Sequence, residues 1–281
     1  MQWIEGLGAV AGRYGGLIVD LWGVMHDGVA AYPAAVDALR RYRADGGRVV
    51  LLSNAPRPSA VVARHMARIG VAPDCHDHLI TSGDATRAAL ASGDLPGTHL
   101  FHLGPARDRA TFEGLAWRET DDLAIADVVL ATGMFDDAET AEDYRAMLER
   151  ARDRDLPLLC ANPDRVVMRG EERLVCPGAL ADLYDAIGGR SLRWGKPYPG
   201  VYAMALAALD LPVDQVLAIG DSIETDIAGA AGAGIHALIV ATGIHAAGWT
   251  GADGAPDPAR IAADCAAAGH GPQFATAALV W

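Results

Sequence analysis

Cysteine is scarce in this chain: 281 residues contain four (Cys75, Cys160, Cys176 and Cys265), and no two form a C-x-x-C pair. That scatter signals neither a disulfide framework nor a structural zinc site, so all four read as reduced thiols. Positive charge is short as well. There are 23 Lys and Arg against 36 Asp and Glu, a formal charge of -13. A field of that sign repels polyanions, which argues against nucleic acid and anionic membrane as partners. Long apolar runs are also missing, and none approaches the roughly 20 residues that span a bilayer. The first 20 residues carry Glu5 and Arg13 and lead straight into an apolar strand, unlike a cleavable signal. Together these absences predict a soluble, cytoplasmic protein. A small anionic ligand stays open, because one lysine or metal ion sets the field inside a pocket.

What is present is apolar material, 51% of the chain, enough for a large core or a core plus a smaller domain. Apolar runs of strand length alternate with segments of helical period, which argues for parallel β-α-β units. Strand LIVD (17–20) is followed by a helix that Pro33 opens and Gly46-Gly47 ends. Strand RVVLLS then precedes a helix from Ser59, read as its cap, to Gly70, and HLITSG is the third strand. The turn-rich SGDLPG (92–97) marks a boundary. Beyond it come strands THLFHLG and ADVVLATG, a long helix AETAEDYRAMLERARDRD, strand PLLCAN, a hairpin RVVMRGEERLVCPG and helix ALADLYDAIGG. After Gly189 the first pattern returns, with helix VYAMALAALD, strand QVLAIGD, helix TDIAGAAGAG and strand HALIVATG. The expectation is α/β: a doubly wound parallel-sheet core from residues 1–92 and 190–281, with a second, smaller α/β domain at 93–189.

Strand ends carry the polar groups. In chain order these are Asp20, Ser53-Asn54, Lys196 in a loop, and Asp221 with Asp226. In a doubly wound sheet the carboxyl ends of the strands form the ligand crevice, so groups far apart in sequence can converge there. Singly, each is an ordinary turn or cap residue; the ordered set carries the signal.

The runs D-x-W-G-V-x-H-D-G, SNAPRP, GKPYPG and GDS-x-x-T-D-I-x-G-A, in that order, resemble the haloacid dehalogenase (HAD) superfamily, and within it the NagD-like branch of phosphatases. The resemblance covers nearly the whole chain. It implies a Rossmann-like HAD core and an α/β cap inserted between the second and third motifs. Of the two intervals, 32 residues separate Asp20 from Ser53 and 141 separate Asn54 from Lys196, so only the second has room for such a cap. It also implies a small phosphorylated metabolite as substrate. Asp20 would be the nucleophile that forms an aspartyl-phosphate. Mg²⁺ would be held by Asp20, the backbone carbonyl of Trp22 and Asp221, with Asp226 outside that shell orienting waters or Lys196. Ser53, Asn54 and Lys196 would hold the phosphate, and Lys196 would offset the clustered negative charge. From the cap, the loop CANPDRVV would offer Asn162, Asp164 and Arg165 to the substrate. A homodimer stays open.

One position departs from the resembled pattern. Two residues after the nucleophile, where the branch has a second Asp as general acid, stands Trp22. Acid-base help of that kind is typically worth about 10²–10⁴ in rate, and an indole cannot supply it. Three readings follow: His26 or Asp27 replaces the acid, the substrate has a leaving group that needs none, or the protein is a weakened phosphate-binding or regulatory protein. A dehalogenase-type hydrolase is the further alternative. It is disfavoured because both Asp221 and Asp226 are kept and the insertion comes late. Cys75, His76 and His78 look like metal ligands but precede the third strand, away from the crevice, and read as a loop. His245 and the tyrosines Tyr14, Tyr42, Tyr144 and Tyr184 read as structural.

Overall fold

A computed structural model describes residues 1–170 and 172–281. Its larger sheet has seven strands, all paired in parallel, in the spatial order Gln2–Trp3, Phe274–Thr276, His236–Val240, Val216–Gly220, Gly16–Val19, Arg48–Ser53 and His78–Thr81. The chain moves one way from Gly16–Val19 and the other way from Val216–Gly220, so the order reverses between these two neighbours. That switch point is where an open α/β sheet presents its crevice.

The central strands are apolar throughout because both faces of the sheet are covered. Successive side chains of a strand point to opposite faces. Leu17, Val19, Val49, Leu51, Leu217 and Ile219 accordingly pack into one buried cluster, while Ile18, Val50, Leu52, Val216 and Ala218 pack into another. Burying each such side chain contributes about 1.5–3 kcal/mol, and truncating Leu51 to Ala would cost about 2–5 kcal/mol.

Helix ends differ in detail from expectation. Pro33 does open the helix Pro33–Ala44, and Gly70, in the left-handed region at φ 98°, ends Ser59–Ile69. Ser59 is not that helix's cap: its backbone N–H and its hydroxyl both donate to Asp84 Oδ1, at 3.0 and 3.2 Å. Asp84 itself belongs to a reciprocal cap with Thr81 at the start of Ser82–Ala91.

The second sheet has five strands, all parallel, ordered Arg190–Arg193, Pro157–Cys160, Val128–Ala131, His99–Leu103 and Arg118–Thr120. Its core gathers Leu103, Val129, Leu148, Leu158, Leu180 and Tyr184. The expected boundary at residue 189 needs correction, since strand Arg190–Arg193 pairs with Pro157–Cys160 and extends this sheet. The run RSLR has one apolar residue, and Arg193 donates to Asp182 and Asp185, so its pattern hides a strand. The long helix is shorter than expected, a single 3₁₀ turn Ala141–Tyr144 and then Arg145–Arg152. An antiparallel hairpin, Val166–Arg169 with Glu172–Val175, projects from this layer. Among the described residues no helix is long and apolar enough to cross a membrane.

Candidate active site

Asp20 and Asp221 each follow directly on one of the two strands at the switch point, Gly16–Val19 and Val216–Gly220. Both are buried. Ser222 then caps a short turn, its hydroxyl accepting the Thr225 N–H at 3.2 Å. The turn is a π turn, Ile223–Ile227, wider than an α turn, and it returns Asp226 to the site. Asp226 accepts the Ser222 N–H through Oδ2 at 3.2 Å and the Lys196 ammonium through Oδ1 at 2.7 Å.

Lys196 is the cation of the cluster. Its Nζ lies 2.5 Å from Asp20 Oδ1, and the whole group is buried. Its backbone is held by Asn54, whose side-chain amide accepts the Lys196 N–H at 2.7 Å and donates to the Lys196 carbonyl at 3.0 Å. Gly195 makes that approach possible, at φ 134° and packed so closely that a Cβ would strike Ser82 Oγ and Asn54 Oδ1. Ser53, also buried, turns its Oγ to the Ala55 N–H at 3.2 Å.

The electrostatics follow from burial. It pushes the Asp20 carboxyl up to about 7, against the pull of Lys196. Asp221 is likewise raised well above the ordinary carboxylate range by desolvation, to which the charges of Asp20 and Asp226 add. For Lys196 burial works downward, but Asp20 and Asp226 more than reverse it and keep the ammonium protonated. One buried lysine does not balance three buried carboxylates, and the donor set fits a divalent cation. Carboxylate oxygens of Asp20, Asp221 and Asp226 lie within 4.8 Å of one another. Both oxygens of Asp226 are already engaged. Among the described residues, Asp20 has only Oδ1 engaged and Asp221 only Oδ2, by the Ile244 N–H at 2.7 Å. The Trp22 carbonyl accepts no backbone hydrogen bond among the described residues. Asp20, Asp221 and that carbonyl are therefore the oxygens available to a hard cation.

A cavity of about 640 Å³ opens over this cluster and is shared by the two sheets. It reaches Asn162 and Asp164 from the expected cap loop. Arg165, however, is exposed and bonded to Asp182 at 2.5 Å, outside the lining. Asp164 Oδ1 accepts a hydrogen bond from Asn54 Nδ2 at 2.8 Å, joining the inserted sheet to the catalytic one.

The residues after Trp22 do not offer an acid. His26 is buried outside the lining, its Nδ1 accepts the Gly28 N–H at 2.9 Å, and burial lowers its pKa to about 4. It is a neutral ring packed edge-on to Trp22, with centroids 5.0 Å apart. Asp27 does line the cavity, but its Oδ1 accepts the N–H groups of Ala30 and Val29, both at 2.8 Å, which hold the carboxyl ionised below the usual range. The Cys75 Sγ lies 3.7 Å from His76 Nδ1, and no metal cluster forms there among the described residues.

The hairpin is foreseen in the sequence but not its place at the site, where Val166, Met168 and Leu174 wall the cavity, nor that of Arg57, His65 and Asp108 at its side. SNAPRP does contain Arg57, three residues past Asn54. The others face the site only through the packing of the two sheets.

Known proteins resemble this chain in sequence and fold. The haloacid dehalogenase-like hydrolase model matches residues 17–118, and a HAD-hydrolase-like model matches residues 193–268. A solved hydrolase of the haloacid dehalogenase-like family from Brucella suis 1330 is 38% identical, with a TM-score of 0.87, covering 99% of this chain and 100% of that one. The D-glycerol 3-phosphate phosphatase of Mycobacterium tuberculosis is 28% identical over 85% of this chain, which spans 66% of that protein's length. A glycerol phosphate phosphatase from the same organism, solved in complex with magnesium, is 28% identical over 84% of this chain and 70% of that one, with a TM-score of 0.62. Full-length similarity to the Brucella protein, with the two family matches falling on the segments that supply Asp20 and Asp221, establishes that this chain belongs to the haloacid dehalogenase-like hydrolases.

Proposed function

We propose that this chain is a Mg²⁺-dependent phosphatase of a small phosphorylated metabolite, with residues 1–92 and 194–281 as catalytic core and the inserted sheet, strand Arg190–Arg193 included, as cap. The observation that carries this is the buried Lys196–Asp20 contact at 2.5 Å beside Asp221, a nucleophile and its counter-charge next to a set of free oxygens. The phosphatase names and the bound magnesium among its relatives support the same reading.

In this mechanism an oxygen of Asp20 attacks phosphorus and the bond to the leaving oxygen breaks, giving an aspartyl-phosphate. Lys196 neutralises the charge that gathers between Asp20 and the phosphate, and Asp226 holds the ammonium in place. The hydroxyl of Ser53 and the backbone N–H of Asn54 receive phosphate oxygens. Asp20, the Trp22 carbonyl and Asp221 would hold a Mg²⁺ ion, which when bound would supply charge neutralisation for the transferring group. The cap hairpin excludes water during the first step.

A screen of phosphate monoesters with and without Mg²⁺ tests the reading. Hydrolysis that requires the ion and vanishes in Asp20→Asn supports it. Tight phosphate binding with no turnover of any ester favours a phosphate-binding protein, and release of halide from haloacids favours a dehalogenase.

A further inference from the structure

With Trp22 in place of the usual acid, the leaving oxygen needs another proton donor or must depart as an anion. Besides Asp20, Asp221 and Asp226, the cavity is lined by four carboxyls, Asp27, Asp108, Asp137 and Asp164. Three are committed elsewhere. Asp27 caps its own loop. Asp137 is paired with Arg169 at 2.9 Å and Arg107 at 3.5 Å, and the Arg169 hydrogen bond holds it below the ordinary range. Asp108 faces Arg57 at 3.5 Å; burial also pushes its carboxyl up to about 6, but among the described residues no hydrogen bond ties it to Asn54, Lys196 or Asp20.

Asp164 stands apart. No Lys or Arg forms an ion pair with it among the described residues, and only its Oδ1 is bonded, to the neutral amide of Asn54. The same amide clamps the backbone of Lys196, whose ammonium touches Asp20, so Asp164 is one side chain removed from the phosphate-holding machinery. The charged groups acting on it are Lys196 and Asp226 from the catalytic sheet, and Asp164 in turn acts on Asp20. The thiols of Cys160 and Cys176 lie near it on its own layer. Burial pushes its carboxyl up to about 6, against the pull of Lys196 and Asn54.

We propose that Asp164 is the general acid of this site, delivered from the inserted sheet to the leaving oxygen in place of the carboxyl that Trp22 displaces. This rests on the phosphatase reading above. As Asp20 attacks phosphorus and the ester P–O bond breaks, the Asp164 carboxyl proton passes to the leaving oxygen, giving an alcohol, the aspartyl-phosphate and the Asp164 carboxylate. That carboxylate then takes a proton from water as the water oxygen attacks phosphorus. The P–O bond to Asp20 breaks, and phosphate and both original side chains are restored.

The test compares wild type, Asp164→Asn and the double variant with Trp22→Asp, on glycerol phosphate and on 4-nitrophenyl phosphate, with Mg²⁺ and acid quench. Asn keeps the oxygen that accepts from Asn54. The expected loss in kcat on glycerol phosphate is about 10²–10⁴. On 4-nitrophenyl phosphate, whose leaving group needs no proton, Asp164→Asn should give a burst of nitrophenol with phosphorylated enzyme accumulating. Trp22→Asp in that background should restore turnover of glycerol phosphate. Equal losses on both esters without a burst, or no loss on either, would overturn the proposal while leaving the phosphatase reading intact. A wild type inactive on both esters and on the wider screen removes both. Wild-type pH profiles give a variant-free readout: with enzyme in excess, the single-turnover rate on glycerol phosphate should fall with rising pH where that of nitrophenol release does not, and coincident profiles would contradict the assignment.

Discussion

Lys196 Nζ and Asp20 Oδ1 stand 2.5 Å apart in a buried cluster, across 176 residues of chain. The ammonium is shared with Asp226 at 2.7 Å, so it serves two carboxylates at once. Removing one partner of a buried ion pair typically costs about 3–5 kcal/mol, because the charge left behind has no compensation. Lys196→Met should therefore abolish turnover and also lower the unfolding midpoint, measured by calorimetry. A variant as stable as wild type would mean that the pair carries no structural weight.

Asp221 is confined by Gly243, which at φ 80° lies so close that a Cβ would collide with the carboxylate. Gly243→Ala combines backbone strain with displacement of a metal ligand. The concentration of Mg²⁺ giving half-maximal activity should rise by about tenfold, equivalent to about 1.4 kcal/mol. An unchanged Mg²⁺ titration would remove Asp221 from the metal site.

Trp22→Asp restores a carboxyl where the family resemblance places the general acid. In the wild-type background, where Asp164 already donates the proton, turnover of alkyl phosphates should rise by less than about tenfold, whereas in Asp164→Asn the same change should raise it by about 10²-fold or more. The indole ring packs on His26 and against Gly28, so the variant should also lose about 1–3 kcal/mol of stability. A gain of about 10²-fold on alkyl esters in the wild-type background would show that Asp164 does not supply the proton.

A pH effect on stability follows from His102, buried in the strand His99–Leu103 with Nε2 2.8 Å from Thr132 Oγ1. Burial lowers its folded pKa to about 4 from 6.5. Between those values the unfolded chain binds a proton that the folded one does not, so stability falls as pH drops from 6.5 to 4 and this contribution then levels off. His102→Gln should flatten that limb of the Tm-against-pH curve, by roughly 5 °C. An unaltered curve would assign the limb to other groups.

Much of this architecture is legible in the residues alone. LIVD, VVLLS (49–53) and VLAIGD are apolar up to the crevice because both faces of the sheet are covered, and each ends at a polar group there. The strands Gln2–Trp3 and Phe274–Thr276 are too short to show a pattern, and Arg190–Arg193 is masked by its arginines. Asp226 was visible in GDSIETD, but the π turn that aims it at Lys196 has no sequence signature. The Asn54–Asp164 bond joins residues 110 apart, and nothing local to either announces it. His26 illustrates the opposite case: proximity in sequence to Trp22 suggested an acid, whereas the loop buries its ring and uses its nitrogen to fix Gly28.

Asp20 is the group that becomes phosphorylated in the proposed mechanism. Its most direct test is to mix the enzyme and Mg²⁺ with a ³²P-labelled ester, quench in acid during turnover, and map the label by peptide mass spectrometry. Label on Asp20, absent in Asp20→Asn and absent without Mg²⁺, is the predicted result. Phosphate release with no label on the protein, or with label on another residue, would contradict it.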